Sequence, residues 1–203
     1  MKHPSTRELF DYWNARRGRR VAPERSEIEP EAIRRALADT FILSFEPQRG
    51  HPFRIAGTRV CGLFRRELKG SAFLDLWSPA SRDHMRELTT IVVDELTGVV
   101  ASARATSAAG DALQLELLLL PLNHHDQNDA RLLGALAPAM ADTVDDAMND
   151  PWLGTYALRD LAIGTHRFVG PTVAAIKSAP RPQPLRQLGR LRYGFVVYDG
   201  GQA

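Results

Sequence analysis

The sequence has few of the features that mark several large classes of protein. Its 203 residues include one cysteine, Cys61, which excludes an internal disulfide and a multi-cysteine metal site within one chain. The formal net charge is only +2, so bulk electrostatics give no argument for nucleic-acid binding. No apolar run approaches the roughly 18 residues of a membrane-spanning helix, and the N-terminus has no signal-peptide pattern. We therefore expect a cytoplasmic protein without a membrane span.

The composition that remains is that of an ordinary globular protein. Apolar residues make up 44% of the chain, and its length suits one sizeable core with appendages. We predict an N-terminal helical cap over 1–38, a core over 39–138 and a partly irregular C-terminal extension over 139–203. Residues 177–192 of this extension are rich in proline and arginine, a composition typical of extended or flexible chain.

The N-terminus carries the pattern of an amphipathic helix. Ser5-Thr6-Arg7-Glu8 predicts a capping box, and Gly18 predicts the end of the helix. Leu9, Phe10 and Trp13 share one face. That face either covers the protein's own sheet or packs in a dimer, because both arrangements bury the same stripe.

Five segments have the pattern of a strand, and helices lie between the second and the third strand. The strands are expected at Thr40–Phe45, Phe53–Ala56, 99–106, 112–122 and 131–137, and the helices around 58–64 and 78–95. A further strand-like piece, Asp160–Ile163, is a candidate to pair back onto the domain. This order predicts an α+β fold with a five-stranded antiparallel sheet and small helices on one face.

The strand over 112–122 is apolar on both faces at its C-terminal end. Leu117 belongs to one alternating face, whereas Leu118 and Leu120 lie on the other. A strand with one face in the core should be polar on the other, so Leu118 and Leu120 need a cover. We predict an interface formed by Leu9, Phe10, Trp13, Leu118 and Leu120.

Residues Pro52–Trp77 follow an order of strand, turn and short helices that is found in a known family. Within it stand a glycine, a charged helix, a second glycine, an aromatic residue and an Asp-Leu pair. These are Gly62, Glu67-Leu68, Gly70, Phe73 and Asp75-Leu76. Further matches across 5–170 are Tyr12-Trp13, Arg17-Gly18-Arg19, Pro23, Arg25, Ile28, Pro30, Phe53–Thr58, Arg66–Gly70 and Leu133–Leu136. In this order the residues resemble the single-domain PAS proteins of bacteria, chiefly α-proteobacteria.

The resemblance implies a non-enzymatic sensor or regulatory protein. It implies action through a homodimer or a protein partner, gated by a small-molecule ligand in the core, and nucleic acid is not expected as a partner. The sequence requires no cofactor and identifies none. The side chains that we predict to line the ligand cavity are Ile55, Arg59, Val60, Phe64, Phe73, Trp77, Leu88, Ala101, Ala103 and Leu117.

The small side chains of that set leave an alternative open. Ala101 and Ala103 leave room either for a ligand or for a closely packed helix. Arg59 and Arg104 are the groups most able to orient an anionic ligand, but each is also explained as an ordinary surface arginine.

Three features could carry chemistry, and each has a plainer interpretation. Cys61 lacks the Asn-Cys-Arg-Phe context of flavin-binding PAS domains, so a buried inert thiol is favoured. His84 lies on the helix that supplies a haem ligand in some PAS domains, but a histidine at the edge of the core is favoured. His124-His125-Asp126 is expected to be a solvated loop rather than a metal site. We predict no metal ligand and no catalytic residue.

Two alternatives come from other functional classes. The first is an enzyme on a cone-shaped α+β fold of the ketosteroid-isomerase type, which would require Asp75, Asp94 or His84 to point into the cavity. The second is a regulator that binds nucleic acid through the arginine-rich C-terminal tail, for which affinity would fall with salt.

Overall fold

The first structured element, α1, differs at its start from the predicted capping box. In the computed structural model α1 spans Pro4–Arg17, and its N-cap is His3, whose Nδ1 accepts a hydrogen bond from the backbone N–H of Ser5 at 3.1 Å. Pro4 fixes a helical φ at the first position, so the helix begins before Ser5 and the prediction of the cap was wrong. Gly18 ends the helix at φ 55°, as the sequence predicts.

The chain between α1 and the sheet forms short 3-10 turns. They span Arg25–Glu27, Pro30–Ile33 and Leu37–Asp39. Ile33 is buried, whereas Leu37 is 38% exposed. This segment therefore packs through single side chains rather than through the continuous stripe of a helix.

A six-stranded antiparallel sheet forms the centre of the fold. Its strands, in chain order β1 to β6, are Thr40–Ser44, Phe53–Ala56, Gly98–Ser107, Ala112–Leu122, Arg131–Pro138 and Leu158–Val169. Their spatial order is β2-β1-β5-β4-β3-β6. Between β2 and β3 the chain forms α2, Thr58–Phe64, a 3-10 turn, Phe73–Leu76, and α3, Pro79–Asp94.

The predicted α+β class with an antiparallel sheet is confirmed, and the strand count is corrected from five to six. The sixth strand contains the piece Asp160–Ile163 and pairs with β3 from Gly98 to Ser107. Because β4 occupies only one edge of β3, the other edge had unpaired backbone groups that a further strand could satisfy.

The sheet separates two apolar layers. We call the face that carries Ala101 and Leu117 the inner face, and α2, α3 and the 3-10 turn at 73–76 pack there. We call the face that carries Leu118 and Leu120 the outer face, and α1 packs there. Within the sheet a Cβ at Gly134 would clash with the ring of Phe41, so the close approach of β1 and β5 requires glycine.

The structure describes residues 1–107, 112–123, 130–139, 158–169, 189–192 and 195–198. Contacts divide the chain into two units, Met1–Gly170 and Pro171–Ala203. In the second unit β7, Gly189–Arg192, and β8, Phe195–Tyr198, form an antiparallel pair. The division into cap, core and extension remains a prediction. The interpretations of 124–126 and of most of 177–192 concern positions outside the described residues.

Candidate functional site

The inner face gathers most of the side chains that were predicted to line a cavity. They lie in one buried apolar cluster together with α2 and α3. The members taken from the prediction are Val60, Phe64, Phe73, Trp77, Leu88, Ala101, Ala103 and Leu117. Alternation along β3 and β4 places the last three on the same face, since Ala101 pairs directly with Leu117.

Aromatic rings run through this inner-face cluster. Phe73 lies 5.7 Å from the ring of Phe41, 5.8 Å from that of Phe53 and 5.8 Å from that of Trp77, measured between centroids. The Trp77 side chain is fully buried, and within the described part of the chain its Nε1–H has no hydrogen-bond partner. A buried donor without an acceptor is costly, so this N–H is the group that a polar ligand atom on the inner face would satisfy.

His51 is a buried residue of the inner side that the sequence analysis did not identify. Its ring stacks on Phe45 at 4.9 Å between centroids, and its Nε2 lies 3.1 Å from Thr89 Oγ1. Burial, and then the positive charge of Arg86, lower the pKa of His51 to about 4, against an opposing effect of Glu46. The ring is therefore neutral at pH 7. A histidine in a polar turn carries no sequence signal of burial.

Ile55 and Arg59 do not join the other predicted cavity residues. Ile55 pairs with Ile42 on the outer face and is 48% exposed. Arg59 donates from Nε and from a terminal nitrogen to the two carboxylate oxygens of Asp39, each at 2.7 Å. This guanidinium thus links α2 to the end of the third 3-10 turn.

The outer face brings the predicted interface residues together within one chain. Leu9 and Trp13 of α1 are fully buried against Leu118 and Leu120, and Phe10 is partly buried at the edge of the same cluster. Trp13 Nε1 donates to the carbonyl of Pro121 at 2.8 Å. The sequence allowed either the protein's own helix or a second subunit to cover these leucines. In the single chain, α1 covers them.

A buried carboxylate on β4 holds the first turn of α1. Glu116 is 8% exposed and accepts hydrogen bonds from the backbone N–H of Lys2 at 2.7 Å, from that of His3 at 3.1 Å and from the Thr6 hydroxyl. Burial acts to raise the pKa of Glu116, but these hydrogen bonds outweigh burial and the pKa is lowered. The charge on Glu116 therefore favours the docked helix.

A second buried carboxylate reaches the same helix from another direction. Asp39 is 1% exposed, and its Oδ2 accepts from the Ser5 hydroxyl at 2.5 Å. The same oxygen accepts from Arg59. The beginning of α1 is thus connected both to β4 and, through Asp39, to α2, which packs on the inner side.

The other residues that could carry chemistry lie apart from these clusters. Asp75 and Asp94 are exposed, so neither supplies the inward acid that the isomerase alternative requires. His84 is half-buried, and its ring lies 5.1 Å from that of His166. Cys61 is 9% exposed and packs with the inner-face cluster. Among the described residues, no group of three or more potential ligands could hold a metal ion.

The helices give one further negative result. In the described ranges, none is both long enough and apolar enough to cross a membrane.

Comparison with solved structures finds similar folds at low sequence identity. A light-oxygen-voltage domain studied with a flavin analogue is 14% identical, the match covers 55% of this chain and 84% of that one, and the TM-score is 0.44. The PAS domain of Bordetella pertussis BvgS is 16% identical, the match covers 54% of this chain and 85% of that one, and the TM-score is 0.40. The PAS domain of an HTR-like protein from Haloarcula marismortui is 16% identical, the match covers 53% of this chain and 90% of that one, and the TM-score is 0.38.

A search of curated proteins finds no match. A family model described as a PAS domain matches residues 1–137, which is more than half of the 203 residues. The match includes α1, both carboxylates that hold it, strands β1 to β4 and all of β5 except its last residue. It confirms the family that the sequence resembles, while the bacterial group named there remains a prediction. The chain belongs to the PAS domain family.

Proposed function

We propose that this PAS domain is a non-enzymatic sensory and regulatory protein whose output is the position of α1 on the outer face. In the docked state described above, α1 covers Leu118 and Leu120. In the alternative state α1 leaves, and a second copy of the chain covers these leucines instead. The observation that carries the proposal is that one helix, fixed at its first turn by Glu116 and Asp39, buries this apolar surface.

The two covers in this proposal bury the same apolar surface. Leu118 and Leu120 are fully buried, and contiguous apolar surface exposed to water favours association. A homodimer that uses the same surface therefore competes with α1 rather than adding to it. Such competition makes the monomer–dimer equilibrium sensitive to any change of a few kcal/mol in the free energy with which α1 docks on the outer face.

A ligand on the inner face supplies the input in this proposal. Ala101 and Ala103 line that face with small side chains, and Trp77 Nε1–H lacks an acceptor among the described residues. A small molecule with an acceptor group would satisfy this donor. The link from Arg59 through Asp39 to Ser5 connects the inner-side helix α2 to α1.

The test is the oligomeric state of the purified chain, measured by sedimentation velocity over a range of concentrations. Trp13→Ala is expected to loosen α1 and strengthen the dimer, whereas Leu118→Glu is expected to weaken it. Phe168→Glu is the matched control, because Phe168 is 49% exposed and lies away from α1. If Trp13→Ala and Leu118→Glu both leave the equilibrium unchanged while circular dichroism shows folded protein, the dimer surface is elsewhere.

Native mass spectrometry of the same preparation tests the input. It reports bound small molecules and oligomeric state together. We expect a bound small molecule whose binding is weaker in Trp77→Phe. A chain that carries no ligand under any growth condition would contradict this part of the proposal.

A further inference from the structure

A groove on the outer face lies beside the area that α1 covers. It has a volume of about 500 Å³ and runs between the 3-10 turns of residues 25–39 and the edge formed by β1 and β2. Its apolar lining includes Ile28, Ile33, Ile42, Ile55 and Leu133. The volume falls within the range of small-molecule sites in proteins, about 300–1,000 Å³.

The groove combines a buried floor with an accessible mouth. Ile42 is 6% exposed and Leu133 is fully buried, so the floor is continuous with the outer-face cluster. At the mouth Ile55 is 48% exposed and Leu37 is 38% exposed. Among the described strands β2 lies at the edge of the sheet, so none of them covers that side. The apolar tail of a ligand can therefore enter from solvent and reach a buried floor.

Two arginines give the lining a positive charge. Arg25 and Arg34 both line the groove, and neither guanidinium has a hydrogen-bond or ion-pair partner among the residues that the structure describes. Two acidic neighbours are engaged elsewhere, since Glu27 pairs with Arg20 and Glu29 with Arg16. An anionic group at the mouth would meet unpaired donors of opposite charge.

We propose that this groove binds a single free amphiphile with an apolar tail and an anionic head, of the medium-chain carboxylate class. The tail lies against Ile42, Ile55 and Leu133, and the carboxylate meets Arg25 and Arg34. The site is on the opposite side of the sheet from Trp77, so it is separate from the inner-face ligand. A concave groove with its floor below the surface fits a free monomer better than it fits the surface of a bilayer.

The experiment is calorimetric titration of the full chain with hexanoate, octanoate and decanoate below their micelle concentrations. Affinity is expected to rise by about fourfold for each added methylene that is buried, and uncharged decanol is expected to bind at least tenfold more weakly than decanoate. Ile55→Asp and the double variant Arg25→Glu/Arg34→Glu should each weaken decanoate binding by tenfold or more.

Matched controls separate the groove from general effects of charge and exposure. Val21→Asp replaces another half-exposed aliphatic residue, 46% exposed, and Arg19→Glu reverses another exposed arginine; both should leave affinity unchanged. Absence of decanoate binding at millimolar concentration would overturn the proposal, as would equal losses in the controls. A change of oligomeric state in Ile55→Asp without decanoate binding would also overturn it and assign the groove to a second copy. The decanoate titrations do not depend on whether α1 moves, so they can fail or succeed independently of the function proposed above.

Discussion

The two faces of the sheet are stabilised in different ways. The inner face packs against aromatic and aliphatic side chains from several elements, and burial keeps its histidine, His51, neutral at pH 7. The outer face is covered largely by one helix, and two buried carboxylates hold the first turn of that helix. A cover supplied by one element can leave as a unit, whereas a core shared by many elements is lost only by global unfolding.

Trp13 and Trp77 are fully buried on the outer and the inner face respectively, and truncating the two should give different results. Trp77→Ala is expected to lower the global free energy of unfolding by about 3–5 kcal/mol, because it leaves a cavity in the inner-face cluster. Trp13→Ala should instead act first on α1. Denaturant unfolding measures the global cost, and hydrogen exchange measured by mass spectrometry locates the opening. Equal acceleration of exchange in α1 and in β1–β5 of Trp13→Ala would show that both layers unfold as one unit.

Acid should destabilise the inner side at a higher pH than the outer side. His51 has a pKa of about 4 in the fold and an ordinary value of 6.5, so between these values the unfolded chain binds the extra proton. Stability is full above pH 6.5 and falls as the pH drops to 4, by about 3 kcal/mol at most. Unfolding by urea across this range measures the loss. His51→Asn should flatten the dependence of stability on pH, because asparagine does not titrate. Asparagine also tolerates the positive φ of 60° at this position. An unchanged slope in this variant would assign the loss to other groups.

The outer face should respond to loss of charge on Glu116. Because its pKa is lowered in the fold, Glu116 stabilises the protein above its ordinary pKa of 4.5, and this contribution disappears as the pH falls through the lowered value. Glu116→Gln at pH 7 is expected to cost about 1–3 kcal/mol, since a charged acceptor of several hydrogen bonds is replaced by a neutral one. Hydrogen exchange should accelerate in α1 while β3 and β4 stay protected.

Asp11→Asn is the matched control for that variant. Asp11 lies on α1 and is exposed, so removing its charge should leave hydrogen exchange in α1 unchanged. If both variants accelerate exchange equally, then the loss of one negative charge, and not the loss of the specific contacts of Glu116, loosens α1.

Local pattern was enough to predict much of the sheet and both of its faces. Alternation in β3 and β4 correctly assigned Ala101 and Leu117 to one side and Leu118 to the other. Alternation works because side chains in a strand point to opposite faces with a period of two. The same logic showed that Leu118 needed a cover.

Contacts between residues distant in sequence were not predictable in this way. Thr6 meets Glu116, and Asp39 meets both Ser5 and Arg59, but nothing in the flanking residues indicates these partners. The burial of His51 likewise depends on Thr89 and Phe45, which reach it from α3 and from the end of β1. The position of Arg59 beside a turn predicts a cavity residue, and only the fold shows its ion pair with Asp39.

The smallest expected effect gives the most detailed comparison of the faces. Trp13 Nε1 donates to Pro121 at 2.8 Å, whereas Trp77 Nε1 has no acceptor among the described residues. Replacing each indole by phenylalanine removes a similar volume, but only Trp13→Phe breaks a hydrogen bond. We expect Trp13→Phe to cost about 1 kcal/mol more than Trp77→Phe in denaturant unfolding. Equal costs would mean that the Trp77 N–H has an acceptor in solution, and the ligand proposed for the inner face would be the first candidate to supply it.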